Sequence, residues 1–182
     1  MADPRAAANL FTTAWDVERG GVGVARVGAR AGSDLLGASV YELAPHSKAG
    51  ELHAHHANEE LILVLSGTPT LRTAAGEEVL QPGAVVACRI GLQGAHALVN
   101  RSEQPARVAI VSTLRMPDVV EYPEREEVFV MTEPPYGVSV ARSGFIASSR
   151  SRSVATAASR SASWSGHTSS PRMRTRENGF GR

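Results

Sequence analysis

Short apolar segments recur along the first three quarters of the chain, with polar and turn-forming residues between them. They occupy residues 23–27, 35–43, 61–65, 70–73, 78–80, 85–88, 96–100, 106–113 and 128–131. Turn signals such as Gln81-Pro82-Gly83 separate them, and short apolar, β-branched runs bounded by turns predict strands. No long stretch has the periodicity of a helix. The pattern therefore predicts an all-β sandwich or barrel.

The segment 61–65 is apolar at every position instead of alternating between apolar and polar residues. Such a strand is expected to be covered on both faces. A second copy of the chain is the simplest cover for its outward face, so we expect a homodimer. Residues 1–22 form an N-terminal arm, and its residues Asn9, Leu10 and Phe11 could cross to that partner.

Three histidines and a glutamate occur at positions that β geometry would bring together. His53 and His55 are two residues apart, and side chains at i and i+2 leave a strand on the same face. Glu60 opens the apolar strand that follows, and His96 opens another. Imidazole and carboxylate donors suit one divalent transition metal, which could be Zn, Fe, Mn, Ni or Cu.

The alternative is that these four are polar surface residues of an ordinary sandwich, but three histidines in register with a glutamate favour a metal site. His56 has the opposite parity, so we expect it to point away from the ion. Glu59 is the less favoured carboxylate, although a shift of one residue at the turn would exchange it with Glu60.

These residues resemble the two sequence motifs of the cupin superfamily. The first, G-x5-H-x-H-x3-4-E-x6-G, is matched at His53, His55, Glu60 and Gly67, while residues 45–48 stand where its leading Gly is expected. The second, G-x5-P-x-G-x2-H-x3-N, is matched at Gly83, Gly91, His96 and Asn100. Arg89 takes the usual Pro position, and Gly94-Ala95 lengthen the approach to the histidine by two residues.

The resemblance covers residues 9–123 and extends to small single-domain bacterial cupins, some of them sugar-phosphate isomerase-like. It implies a jelly-roll barrel over residues 23–137 and a metal held by the four motif residues His53, His55, Glu60 and His96. The activity that it implies is that of a metal-dependent isomerase or dioxygenase acting on a small oxygenated metabolite. A non-enzymatic ligand-binding or sensing cupin is the alternative, and a barrel that serves only oligomerisation is a third.

The sequence identifies no catalytic base outside the metal ligands. His46 is a candidate only because it lies near the first motif, and a solvated turn histidine is the better interpretation. Arg72, Arg89 and Arg107 lie in or beside predicted strands. An arginine that pointed inward would bind a substrate phosphate or carboxylate, so Arg89 and Arg72 are the candidate substrate-binding residues.

The sequence predicts a cytoplasmic protein. No apolar run approaches the length of a membrane span, and the N-terminus lacks the apolar core of a signal peptide. Cys88 is the only cysteine, which excludes an internal disulfide, and it is expected to be a small buried residue.

The composition changes at residue 138. Twelve Ser and eight Arg fill residues 138–182, which predicts a disordered tail because such a segment buries too little apolar area. With one acidic residue the tail carries +7, so the rest of the chain carries −6 of the overall +1. An acidic body argues against a nucleic-acid surface on the barrel. The tail is either an Arg/Ser arm for RNA or an acidic partner or, as we favour, the translation of a shifted reading frame.

Overall fold

The computed structural model describes residues 7–133 and 136–141, which form two antiparallel sheets. The strands are β1 (Val17–Arg19), β2 (Val22–Ala25), β3 (Leu36–Leu43), β4 (Lys48–His55), β5 (Glu60–Ser66), β6 (Thr70–Thr73), β7 (Gly76–Val79), β8 (Val85–Cys88), β9 (His96–Val99), β10 (Ala106–Thr113), β11 (Asp118–Tyr122), β12 (Glu127–Glu133) and β13 (Tyr136–Ala141). One sheet has the order β1-β2-β3-β10-β5-β8, and the other has the order β13-β12-β11-β4-β9-β6-β7.

This arrangement confirms the predicted all-β jelly roll. Sequence reasoning missed one helical turn, α1 (Val27–Arg30), within the described residues. A 3-10 turn, Leu92–Gly94, lies between β8 and β9. Within the same residues, no helix is long and apolar enough to span a membrane.

The apolar core lies between the sheets and follows from strand alternation. On β5, Ile62 and Val64 are buried, whereas Leu61 on the opposite face is 40% exposed. Burying a side chain such as Ile62 stabilises the fold by roughly 1.5–3 kcal/mol. Leu63 and its β8 partner Val85 share the outward face, where Val85 is 61% exposed. The homodimer that would cover this face stays a prediction.

The turn after β5 depends on a glycine. Gly67 has φ +73°, and a Cβ added there would lie 2.5 Å from the carbonyl oxygen of Pro105. No side chain fits between β5 and the start of β10 without moving one of them. Nearby, the fully buried Asn100 donates hydrogen bonds to the carbonyls of Leu43 and Gln104, so this motif residue ties the β3–β4 and β9–β10 connections together.

Much of the described N-terminal arm lies on the body of its own chain. The strand β1 pairs with β2. Further upstream, the Arg107 guanidinium donates to the carbonyl oxygens of Leu10 and Thr12 and lies 5.3 Å from the Trp15 ring. Arg107 also pairs with Glu42, and its own side chain is 8% exposed. The arginine therefore holds the arm against the outer face of the first sheet.

The C-terminal part of the domain is a three-strand extension of the second sheet. Residues 128–131, predicted as a strand, form the centre of β12, which pairs with β11 on one side and β13 on the other. The strand β13 continues to Ala141, four residues past the predicted domain boundary at 137. The rest of the predicted tail, 142–182, lies outside the described residues.

Candidate metal centre

Three of the four predicted ligands come together inside the barrel. His53 on β4, Glu60 on β5 and His96 on β9 each offer one ligand atom, and these atoms all lie within 4.8 Å of one another. His53 and His96 are direct partners across β4 and β9, with ring centroids 4.7 Å apart. Glu60 Oε2 from the opposite sheet lies 3.1 Å from His96 Nε2.

The backbone fixes both histidine rings from behind. The Nδ1 of His53 donates to the Glu51 carbonyl at 2.8 Å, and the Nδ1 of His96 donates to the Gly94 carbonyl at 3.0 Å. Because a carbonyl oxygen only accepts, each Nδ1 carries a proton. In both rings Nε2 is left to face the cluster, which is how metal-binding histidines are commonly oriented.

The two extra residues before His96 have a structural explanation. Gly94 ends the 3-10 turn, and a Cβ there would lie 1.8 Å from the carbonyl oxygen of Arg89. Only glycine fits so close to the backbone. The longer approach therefore brings the Gly94 carbonyl to the position from which it holds the His96 ring.

The fourth predicted ligand, His55, borders this group. Its ring centroid is 5.1 Å from that of His53, and its Nε2 is 3.7 Å from Glu60 Oε2. On the other side of the ring, His55 Nδ1 donates to Asp118 Oδ2 at 2.5 Å. The same carboxylate accepts the Ala57 amide at 2.8 Å and is fully buried. His55 is thus oriented toward the cluster by a carboxylate.

Sequence reasoning missed Asp118. Its one visible signal is a charged residue directly before the apolar pair Val119-Val120, which becomes meaningful only because β11 pairs with β4 through Val120 and His55. Burial alone would raise the pKa of Asp118, but hydrogen bonds from Asn58, His55 and the Ala57 amide hold it below its usual value. Asp118 is therefore ionised at neutral pH.

The pKa values of the cluster residues depend on one another. Burial, and then the neighbouring His96, lowers the pKa of His53 to about 4, so this imidazole is neutral at pH 7. Burial opposes ionisation of Glu60, but its hydrogen bond with His96 and the other histidines lower its pKa. Burial likewise opposes charging of His96, whereas contacts with Cys88 and Glu60 raise its pKa. His96 is therefore protonated beside an ionised Glu60 at neutral pH, and a divalent transition metal, which suits two imidazoles and a carboxylate, would displace that proton.

The remaining histidines lie outside the cluster. His56 points away from it, as its parity predicts, and its Nε2 is 2.9 Å from Glu121 Oε2. His46 occupies an exposed turn beside Glu103. Glu59 is exposed, so Glu60 is the carboxylate that faces the histidines. Cys88 is buried, as expected, and contacts His96.

The two predicted substrate-binding arginines are remote from the cavity that contains the cluster. Arg72 pairs with Glu124 on the surface, and Arg89 is exposed. Neither residue lines the cavity. Both are turned outward because their positions in β6 and after β8 have the parity of the solvent face.

The cavity has a volume of about 630 Å³ and lies between the two sheets. The four predicted ligands form part of its wall. Most other wall residues are apolar, including Leu36, Ile110, Leu114 and Phe129. Arg26 and Tyr41 also line it, and sequence reasoning considered neither. The cavity is large enough for a small organic ligand beside a metal ion.

Comparison with known proteins agrees with this architecture. A cupin-domain family model matches residues 39–112, a span that includes all four predicted ligands. This part of the chain is a cupin domain. The chain is similar to a solved sugar phosphate isomerase of the cupin superfamily from Silicibacter pomeroyi DSS-3, with 27% identity, a TM-score of 0.58, and coverage of 72% of this chain and 77% of that one.

A second solved structure supports the fold of this cupin. A protein from Acidithiobacillus ferrooxidans ATCC 23270, named for the same activity, is 23% identical with a TM-score of 0.59. The match covers 67% of this chain and 77% of that one. No curated protein sequence is significantly similar to the cupin.

Proposed function

We propose that the chain is a metal-dependent cupin that acts as an isomerase on a small oxygenated metabolite, with a sugar phosphate as the leading substrate class. The observation that carries this proposal is the convergence of His53, Glu60 and His96 on the wall of a 630 Å³ cavity. Similarity to the Silicibacter pomeroyi isomerase supports the substrate class.

In this proposal His53, Glu60 and His96 hold the ion, and His55 completes the four-residue set. A divalent ion with open coordination positions supplies Lewis acidity toward a carbonyl and an adjacent hydroxyl group. Asp118 keeps the His55 Nε2 directed into the cavity. The apolar walls exclude water from the substrate, which strengthens every electrostatic interaction around the reacting atoms.

The test is elemental analysis of protein purified without chelators, followed by assays on a panel of sugar phosphates and keto acids. We expect near-stoichiometric metal and conversion of at least one sugar phosphate without oxygen uptake. The variant His96→Ala should lose both metal and turnover, because it removes a donor at the centre of the cluster. In the matched control His56→Ala, both should persist. Protein that takes up none of the five candidate metals would contradict the proposal.

A non-enzymatic ligand-binding cupin is the second candidate, and one observation favours it. Isomerisation needs a base, and among the described residues the ionisable groups on the cavity wall outside the four predicted ligands are Arg26, Tyr41 and Tyr122. Burial and then the charge of Glu60 raise the pKa of Tyr41 to about 12, and burial raises the pKa of Tyr122. Neither tyrosine is a ready base at neutral pH. Bound metal without turnover across the panel, together with a thermal shift by one metabolite, would favour this candidate.

A further inference from the structure

Arg26 is the single Lys or Arg among the residues that line the cavity in the described part of the chain. We propose that Arg26, together with Tyr41, forms an anion-binding subsite for a phosphate or carboxylate group of the cavity ligand. Placing the other end of that ligand at the metal cluster rests on the function proposed above, whereas the subsite itself does not.

The backbone directs Arg26 into the cavity. Arg26 follows directly after β2, and strand alternation puts it on the same face as Val24, which also lines the cavity. Ala25 between them is fully buried on the opposite face, against α1 and β3. The Arg26 amide is held by Asp16 Oδ2 at 2.6 Å, which fixes the backbone from which the side chain projects.

Within the described residues, the Arg26 guanidinium has no hydrogen bond and no close ion pair, and Asp16 acts on it only through a weak charge interaction. The nearest acid by sequence and contact, Asp16, is already engaged by the Arg30 guanidinium at 2.9 Å. An arginine that faces an apolar cavity without a counter-ion is suited to bind one, because its donors form a fixed fork that matches phosphate and carboxylate oxygens.

Tyr41 connects the arginine with the metal cluster. It is the β3 partner of Val24 and lines the same cavity. Its pKa responds to the charges of both Glu60 and Arg26, so its ring lies within electrostatic reach of each. Its hydroxyl makes no hydrogen bond within the described residues. A protonated tyrosine hydroxyl beside a guanidinium adds a further donor for an oxyanion.

Three interstrand spacings of the sheet separate the subsite from the metal ligand Glu60. Glu60 is on β5, and Arg26 follows β2, with β10 and β3 between them. Three interstrand spacings amount to roughly 14 Å between the backbones, which both side chains shorten. The anion therefore binds several bonds away from the metal-chelating oxygens. A ligand with a carbonyl and hydroxyl at one end and a phosphate or carboxylate at the other fits this arrangement.

The first test measures thermal unfolding of the full chain at constant ionic strength with inorganic phosphate, acetate or chloride. We expect phosphate, acetate or both to raise the unfolding midpoint of the wild type by a few degrees relative to chloride, since an anion bound only to the folded state stabilises it. Phosphate alone indicates a phosphoryl subsite, and both indicate a general oxyanion subsite. The shift should disappear in Arg26→Met and return in part in Arg26→Lys.

Arg89→Met is the matched control, because it removes an exposed arginine outside the cavity and should retain the full shift. No shift in the wild type, or an equal shift in Arg26→Met, would overturn the proposal. A shift that depends on Arg26 in protein that binds no metal would leave the subsite standing and refute the proposed function. Metal uptake without an anion-induced shift would refute the subsite and leave the proposed function standing.

The second test compares a phosphorylated sugar with its parent, using ribose 5-phosphate and ribose as probes in calorimetric titrations of metal-loaded protein. Charge-assisted hydrogen bonds of the usual strength predict that the wild type binds the phosphate ester about 10- to 100-fold more tightly. Arg26→Met should lose this preference with its metal content unchanged. A preference that persists in the variant would contradict the role of Arg26.

Discussion

Arg107 on β10 and Arg26 directly after β2 face opposite sides of the same sheet, and their surroundings differ completely. On the outer face, Arg107 pairs with Glu42, donates to two backbone carbonyls of the N-terminal arm and lies against Trp15. On the cavity face, Arg26 has no such partner within the described residues. Charge on the outer face is used to hold the chain together, whereas charge in the cavity is left for a ligand.

The histidines of the cluster divide the same two roles, holding the chain together and facing a ligand, between the two nitrogens of each ring. In His53 and His96 one ring nitrogen is held by a backbone carbonyl behind the wall, and the other faces the cavity. His55 follows the same rule with Asp118 as its anchor. Such anchoring reduces the side-chain entropy that ligand binding would otherwise cost.

The largest effect that we expect concerns the outer face. Arg107→Met leaves the Glu42 carboxylate and two arm carbonyls without their donor, so it should lower the free energy of unfolding by about 3 kcal/mol. Urea denaturation followed by circular dichroism measures this loss. Metal content should not change. Arg101→Met, which breaks an exposed pair with Glu77, is the control and should leave the urea midpoint nearly unchanged. An equal loss in both variants would show that Arg107 has no special anchoring role.

A smaller effect is expected from the anchor behind the metal cluster. Asp118→Asn replaces one acceptor oxygen by an amide, which disturbs the hydrogen bond that keeps His55 Nε2 free for an ion. Loss of such an outer partner typically weakens metal binding by about 10- to 100-fold. Competition with a chromogenic chelator measures the affinity. The control is Glu121→Gln. Glu121 lies on β11 with Asp118 but contacts His56, so this variant should retain its affinity for the metal. Unchanged affinity in Asp118→Asn would show that the Asp118 carboxylate is not needed to orient His55 for the ion.

The smallest effect should come from Asp16 beneath Arg26. The Arg26 amide and then the Arg30 guanidinium hold the pKa of Asp16 below its usual value of 3.8. Because the folded pKa is the lower one, the carboxylate stabilises the fold fully above 3.8, and this contribution is lost as the pH falls through the folded value. The melting temperature of Asp16→Asn should therefore be slightly below that of the wild type at pH 7, and the difference should shrink as the pH falls below 3.8. A difference that grows on acidification would contradict this sign.

The strands and the shared direction of His53 and His55 could be predicted from sequence because both follow from local rules. Alternation and turn residues gave β5, β10 and most of the other strands, and parity correctly separated His56 from His53. The burial of Cys88 followed from its apolar neighbours. Each of these inferences needs only residues that are close together in the chain.

The parts that were missed depend on pairing between distant segments. Asp118 becomes an anchor only because β11 lies beside β4, and Arg26 enters the cavity only because β2 is placed beside β3. The candidate arginines Arg72 and Arg89 were selected by nearness to strands and motifs, but both face outward. Nearness in sequence does not determine which face of a sheet a side chain occupies when the register is unknown.

Gly67 shows that a motif can mix two kinds of information. Its positive φ and its close approach to Pro105 are demands of chain geometry, and they would be the same in a barrel that had lost every histidine. In a library of variants, substitutions at this glycine should therefore be selected against for yield of folded protein, and substitutions at the histidines for what the folded protein binds. A search that scores the motif as one unit would merge these two signals. Scoring the glycine and the histidines separately would distinguish proteins that keep the fold from proteins that also keep the metal-binding residues.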